Sequence, residues 1–341
     1  MNDIPPLPER DLPPGRQRLL KEHLMREIRQ PDAKTAGKPR RTWLRPAVAG
    51  PALAGALALA AVLGVAAVGL GDGGGARTEI AKDGKATYAF APRAGADTKG
   101  GAARVLDRVA TVAEKKKADD GIRDDQFVYT KSLVSFATVQ DGKPTRLAPL
   151  HHREDWTSVD GTREGRTLEP GGNPPLDLPN DPDPAPGKPG YDQSTNYRHL
   201  QTLPTDPDAM LTWLYAHTGH DGEPKERDKN QDAFVLAGDL LRGMMPPKVS
   251  AALYRAVAKI PGVVVVPDAV DAAGRHGVAV ARVDSYNPGQ RDEWIFGEKT
   301  DEYLGTRTVA LKSSHGVKAG QVTGTSAVLK RAVVDEVGRR P

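Results

Sequence analysis

Residues 100–139 read GGAARVLDRVATVAEKKKADDGIRDDQFVYTKSLVSFATV. In the first half Val105, Leu106, Val109 and Val112 recur at helical spacing, which predicts an amphipathic helix from about Ala102 to Lys116. The second half, from Gln126 on, is rich in β-branched and aromatic residues, the composition that suits a pleated, half-buried strand. A helix that hands over to a strand sets the pattern that the rest of the chain either continues or breaks.

Downstream, EDWTSVDGTREGRTLE (154–169) has the form of a hairpin turning at Asp160-Gly161. The stretch PGGNPPLDLPNDPDPAPGKP (170–189) is expected to be neither sheet nor helix, because each proline removes a donor and restricts the residue before it; it is assigned as a surface loop or lid. TLPTDPDAMLTWLYAHTG (202–219) carries a helix start, with Thr205 or Asp206 as cap, Pro207 in the first turn and Gly219 placed to end it. DAFVLAGDLLRGM (232–244) and PPKVSAALYRAVAKI (246–260) show helical apolar spacing, divided by Pro246 and Pro247. After them VVVV (263–266), HGVAVARVD (276–284), RDEWIFGEKTDEYLGTRTVALK (291–312) and SAVLKRAVVDEV (326–337) read mostly as short strands separated by Gly and Asp turns. The order helix, strands, helices, strands predicts an α+β domain over 102–341, an antiparallel curved sheet with helices packed on one face.

Upstream, residues 71–101 are rich in Gly, Ala and charge and read as a linker, with a short strand conceivable at Thr87–Ala91. Before it, PAVAGPALAGALALAAVLGVAAVGLG between Arg45 and Asp72 has no ionisable residue, and about 20 residues of helix already cross a bilayer core. One transmembrane helix over 46–70 is the expectation, since a buried soluble helix of that length normally keeps a polar face. Lys34, Lys38, Arg40, Arg41 and Arg45 flank it on the N-terminal side, against mixed charge beyond, which places the N-terminus in the cytoplasm and the C-terminal domain outside the cell membrane. A cleaved signal peptide fits less well: the preceding 45 residues are long for a leader and the apolar run exceeds the usual length. Gly69, Gly71 and Gly74 satisfy GxGxxG, but they follow an apolar span rather than a strand and open no helix, so no dinucleotide loop is assigned.

The cytoplasmic segment 1–45 begins proline-rich and continues as RQRLLKEHLMREIRQ, in which Leu20, Leu24 and Ile28 form one apolar stripe of a short amphipathic helix. Such a helix is too short to be stable alone. Its stripe either docks on a cytoplasmic protein partner or rests on the inner leaflet of the lipid bilayer, unless the segment is only a topogenic tail.

Composition narrows the chemistry. The 341 residues are 38% hydrophobic but only 5% aromatic, with 36 glycines and 29 prolines, so much of the length belongs to turns and linkers. There is no cysteine, which excludes disulfides, thiolate metal sites and thiol nucleophiles. No GxSxG elbow, HExxH motif, P-loop or Ser-x-x-Lys pair occurs, so no catalytic residues, enzyme activity or cofactor are assigned. His217, His220 and Asp221 form the densest metal-like cluster, but they fall where a helix ends and are read as dipole and cap residues. His151 and His152, adjacent in a strand, would face opposite sides. Lys115–Lys117 are taken as a solvated helix end, with no nucleic-acid role. Trp156, Trp213, Trp294, Phe296 and Tyr303 are the large anchors of the outer domain. Core packing is their first expected role; if the sheet curves around a cleft, they would line an apolar pocket for a lipid or a hydrophobic peptide.

Glu293-Trp294-Ile295-Phe296, then Thr300, Glu302, Tyr303, Leu304 and Gly305, together with Pro204-Thr205-Asp206-Pro207 ahead of a Leu/Trp/Tyr helix, resemble an actinobacterial family of uncharacterised single-pass membrane proteins. Its members are often encoded beside extracytoplasmic-function sigma factors. The likeness covers nearly the whole chain, and its motifs are structural. By element order, the outer domain is also similar to the curved-sheet fold of lipoprotein carriers and of periplasmic sigma regulators. These resemblances imply an extracytoplasmic ligand-binding or sensory domain that regulates a cytoplasmic partner such as a sigma factor; the alternative is an anchored envelope binding or scaffolding module with no signalling role. Lacking cysteine, the cytoplasmic segment departs from the His-x3-Cys-x2-Cys pattern of zinc-containing anti-sigma domains.

Overall fold

The computed structural model describes residues 101–118, 121–138, 146–172, 175–218, 227–314 and 316–341. The tail 1–45 with Leu20, Leu24 and Ile28, the apolar run 46–70, the linker as far as residue 100, and Gly219, His220 and Asp221 lie outside the described residues. Among the described residues, no helix is long and apolar enough to cross a membrane.

Helix α1 (Gly101–Glu114) opens the domain, so the last residue assigned to the linker is already helical. Strands β1 (Phe127–Thr138), β2 (Arg146–Leu147), β3 (His151–Ser158), β4 (Gly165–Glu169) and β5 (Leu176–Asn180) follow. A 3-10 turn at Tyr191–Gln193 leads into helices α2 (Tyr197–Gln201), α3 (Pro207–Ala216), α4 (Lys229–Leu240) and α5 (Pro247–Val257). The chain then returns to strands β6 (Val264–Val270), β7 (His276–Val283), β8 (Gln290–Gly297), β9 (Tyr303–Ala310) and β10 (Val322–Val334). The α+β order expected from the sequence is present, and the sheet is open and antiparallel, in the order β5-β4-β3-β1-β10-β9-β8-β7-β6 with β2 paired to β1. The first and last strands, β1 and β10, lie side by side at its centre and join the two halves.

Local chemistry accounts for the element ends. Asp206 caps α3 by accepting from the amides of Asp208 and Ala209, with Pro207 at the first helical position. Asp228 caps α4 through Asn230 and Gln231. The β3–β4 turn passes through Gly161 at φ 75°, a left-handed geometry that glycine adopts without a Cβ penalty.

The stretch 170–189 requires a correction, because β5 lies within it and pairs in register with β4 from Gly165/Asn180 to Glu169/Leu176. Proline is tolerated there because β5 is an edge strand, where the missing amide of Pro179 is no loss to a further neighbour. That edge is also blunted against pairing with another chain.

Helices α1, α3, α4 and α5 pack on one face of β7 and β8 in the main core, where Leu106, Leu214, Phe234, Leu240 and Leu253 meet Val280, Trp294 and Phe296. Alternation along β8 sends Arg291, Glu293 and Ile295 to the other face. Register shifts occur in β1–β10, β10–β9, β6–β7 and β8–β9, each adding local bend and twist. Pairing of β9 with β10 extends only from Val309/Val322 to Arg307/Thr325. Beyond that point Arg275, from the β6–β7 turn, donates Nη2 to the carbonyls of Leu304 and Val328 at 3.0 and 2.9 Å. Its Nε is held by Asp271 at 2.7 Å, so the turn stitches the sheet where its ladder parts.

Candidate functional site

The structure brings three of the five large aromatic anchors together. Trp294 is buried and stacks face to face on Phe234 of α4, with centroids 4.2 Å apart and planes at 4°. A Cβ built on Gly238 would stand only 3.0 Å from Trp294 Nε1, so the absence of a side chain lets α4 lie down on the indole. One step along the strand, the wholly buried Phe296 meets Tyr254 edge-on at 5.5 Å and Tyr303 at 5.9 Å. Burial raises the pKa of both tyrosines above the ordinary phenol range. Trp213 is only partly buried at the rim of this core.

Trp156 is elsewhere. It packs with Phe127, Tyr129 and Val334 in a separate cluster. Its Nε1 donates to the Arg339 carbonyl at 2.7 Å, so the C-terminal tail crosses over it. Beside it the Tyr129 hydroxyl donates to Glu154 at 2.6 Å, and Arg340 grips the same carboxylate with Nε at 2.9 Å and Nη2 at 2.6 Å. The Arg340 guanidinium holds Glu154 below its ordinary pKa against the opposing effect of burial, while burial and the hydrogen bond to Glu154 push Tyr129 up to about 12.

Three further charged sites belong to the scaffold. On the sheet face away from the helices, Glu293 is fully buried and accepts from Arg291 Nε and Arg307 Nε at 2.8 Å each. On β3 and β4, Glu169 bridges Arg153 Nη1 at 3.0 Å and His151 Nε2 at 3.2 Å. His152, the neighbour of His151, is exposed, in keeping with opposite faces. Arg331 lies over the Tyr303 ring, 5.7 Å from its centroid, and donates Nη2 to the carbonyls of Leu241 and Arg242 at 2.8 and 3.2 Å. It therefore supplies a positive group to the C-terminal end of α4, where helix carbonyls lack partners. Burial lowers the proton affinity of this guanidinium, partly offset by the tyrosines.

A polar cluster of a different kind surrounds the 3-10 turn. His199 on α2 is 3% exposed, and neither ring nitrogen makes a hydrogen bond of ordinary geometry. Gln193 Oε1 and Ser194 Oγ close by in sequence are also buried without a partner. The ring meets Tyr191 edge-on at 4.4 Å and a tilted Trp213 at 6.4 Å, and Trp213 in turn stacks on His217 at 4.4 Å. His217 Nδ1 lies 2.7 Å from the Trp213 carbonyl, while its Nε2 stands 3.8 Å from Asp192, which agrees with a helix-end role. Burial depresses the pKa of His199; the charges of Asp192 and Asp183 and the nearby Asp192 main chain pull the other way, and His217 adds to the depression. Among the described residues, no group of three or more His, Cys, Asp or Glu could hold a metal ion.

Sequence reasoning missed His199, Glu293, Glu154 and Arg331. For Glu293 and Glu154 a partial signal existed, since each stands two residues before a large apolar residue on the same strand face, Ile295 and Trp156. His199 sits on a five-residue helix too short for periodicity to register.

No family model matches the chain, and no curated protein matches it. A solved structure described as the complex structure of Pseudomonas aeruginosa MucA/MucB contains a chain similar over 71% of this chain and 58% of its own, at 13% identity and a TM-score of 0.26. The chain thus spans less than two thirds of that chain's length. The likeness is too distant to transfer an activity.

Proposed function

We propose that this is a single-pass membrane protein, with residues 1–45 in the cytoplasm and the α+β domain outside as a ligand-binding or sensory module. The observation that carries the reading is the placing of the uncharged run 46–71 between a basic tail and a folded domain described from Gly101 onward. Trp213 and Tyr303, both partly exposed, are the aromatic surfaces a lipid or hydrophobic peptide would reach without displacing the core. The stripe Leu20, Leu24 and Ile28 would then contact a cytoplasmic protein such as a sigma factor. The protein acts by binding, not by catalysis.

A second reading, an anchored envelope binding or scaffolding module without signalling, is favoured by the spanning run itself, which has no polar residue through which to couple the two sides. Capture from native-host lysate with residues 1–45 as bait, against the Leu20→Asp/Leu24→Asp double variant, separates the two. Recovery of a sigma factor that is lost in the double variant supports the regulator; equal recovery from both baits, or none, favours the anchored module.

A further inference from the structure

Both ring nitrogens of His199 are buried without a hydrogen bond of ordinary geometry, beside Gln193 Oε1 and Ser194 Oγ in the same state, and the polar group nearest the ring is the Asp192 main chain. His199 is wedged between Tyr191 and Trp213, on a short helix that the fold ties down from the other side. Its amide donates to the capping Asn196 side chain at 2.8 Å, and Asn196 Nδ2 donates to Asp183 at 3.0 Å. The Arg198 amide reaches the Val159 carbonyl at 3.0 Å, and its side chain reaches Asp124 and the Ile122 carbonyl. The segment is anchored through its backbone and its outer face, while its inner side sets Leu200 and Leu203 in the main core and holds the His199 imidazole, which burial favours in its neutral form, against Tyr191 and Trp213.

We propose that protonation of His199 is an acid-sensitive latch: burial disfavours the imidazolium in the clasp of Tyr191 and Trp213, and the 3-10 turn 191–193 with the His199 ring loosens from Trp213 when the surroundings acidify, while Leu200 and Leu203 stay in the main core. The groups facing the ring set the direction of movement. Asp192 and Asp183, on the 3-10 turn and the loop before it, attract a charged ring, whereas His217 at the end of α3 repels it. Arg198, on the same helix, is engaged with Asp124 and the Ile122 carbonyl and so holds α2 in place. The nearest favourable place for the charge is therefore outward, toward Asp192 and solvent, away from Trp213. Gln193 Oε1 and Ser194 Oγ, buried without a hydrogen-bond partner, make the turn easier to open, because exposure satisfies these atoms as well. Because burial depresses the His199 pKa, the switch falls on the acid side of the ordinary histidine range.

The test is hydrogen exchange of the full-length chain, followed by mass spectrometry at about pH 7.5 and about pH 5.0 with correction for intrinsic rates. Peptides covering the turn 191–193 should exchange roughly tenfold faster or more at the lower pH, while those from β8 and β9 stay unchanged. His199→Phe, which fills the clasp without a titratable group, should abolish the difference, and His217→Gln should keep it. Wild-type exchange that does not respond to pH, or a response that survives in His199→Phe, overturns the proposal. If His199→Phe fails to fold, the wild-type chain labelled at its histidine rings decides the matter: the His199 resonance must titrate below the exposed histidines and together with the exchange, and a His199 that titrates with the exposed ones also overturns it.

Discussion

Glu293 carries one negative charge between two guanidiniums in a place with no exposure to water. Removing one partner of a buried charged group leaves the others uncompensated, so Glu293→Gln should cost about 3–5 kcal/mol in chemical denaturation. Replacing Arg291, Glu293 and Arg307 together by apolar residues of similar volume should leave stability unchanged or raise it by about 1–4 kcal/mol. A second residue-scale effect lies at Glu154. Its depressed folded pKa means that the stability it contributes is fully present above the ordinary glutamate value, about 4.3, and is lost as pH falls through the folded value. Arg340→Gln should therefore flatten the acid limb of the stability curve below that value. Tyr129 has the opposite sense: raised to about 12, it contributes stability that is present below the ordinary phenol value, about 10, and lost as pH rises through 12, so Tyr129→Phe should flatten the alkaline limb.

Elements tell which parts of this fold were legible beforehand. The helices α3, α4 and α5 could be read because caps and prolines punctuate them, and β7 to β9 because hydrophobic runs alternate with Gly and Asp turns. The strand β5 could not, since its proline argues against a strand unless the strand is known to lie at an edge, and edge position is a property of the assembled sheet. The C-terminal tail was equally hidden: nothing in GRRP announces that the Arg339 carbonyl meets the indole of Trp156 across 183 positions of chain. Deleting residues 335–341 should re-expose Trp156 and remove the packing of Val337 on its cluster, lowering stability by about 2–4 kcal/mol in thermal or chemical unfolding. At the α4–β8 contact, Gly238→Ala sets two effects against each other. Alanine favours helix by about 1 kcal/mol, but its methyl would press on an indole already stacked against Phe234, and overpacking of that kind costs about 1–3 kcal/mol. The indole has nowhere to retreat, so a net loss of about 1 kcal/mol is expected and would show as a lower melting temperature.

At the scale of the whole molecule, element order predicted the class of fold but not its assembly. Pairing of β1 with β10 joins residues about as far apart as the domain allows, from Phe127 with Val334 to Phe136 with Gly324, and no local pattern encodes such a partner. Of the five aromatic anchors read from the sequence, Trp294, Phe296 and Tyr303 share one face because strand alternation places them there. Trp156 is on the other half of the sheet, a separation that spacing could not reveal. The central claim, that a membrane separates residues 1–45 from the folded domain, can be tested cleanly because the chain has no cysteine and gives no background to thiol labelling. The measurement is labelling of intact cells with a membrane-impermeant maleimide, comparing Lys34→Cys in the basic tail with Lys188→Cys at an exposed position of the folded domain. The account predicts that Lys188→Cys reacts in intact cells while Lys34→Cys reacts only after lysis; protection of Lys188→Cys in intact cells, or free reaction of Lys34→Cys, would contradict it.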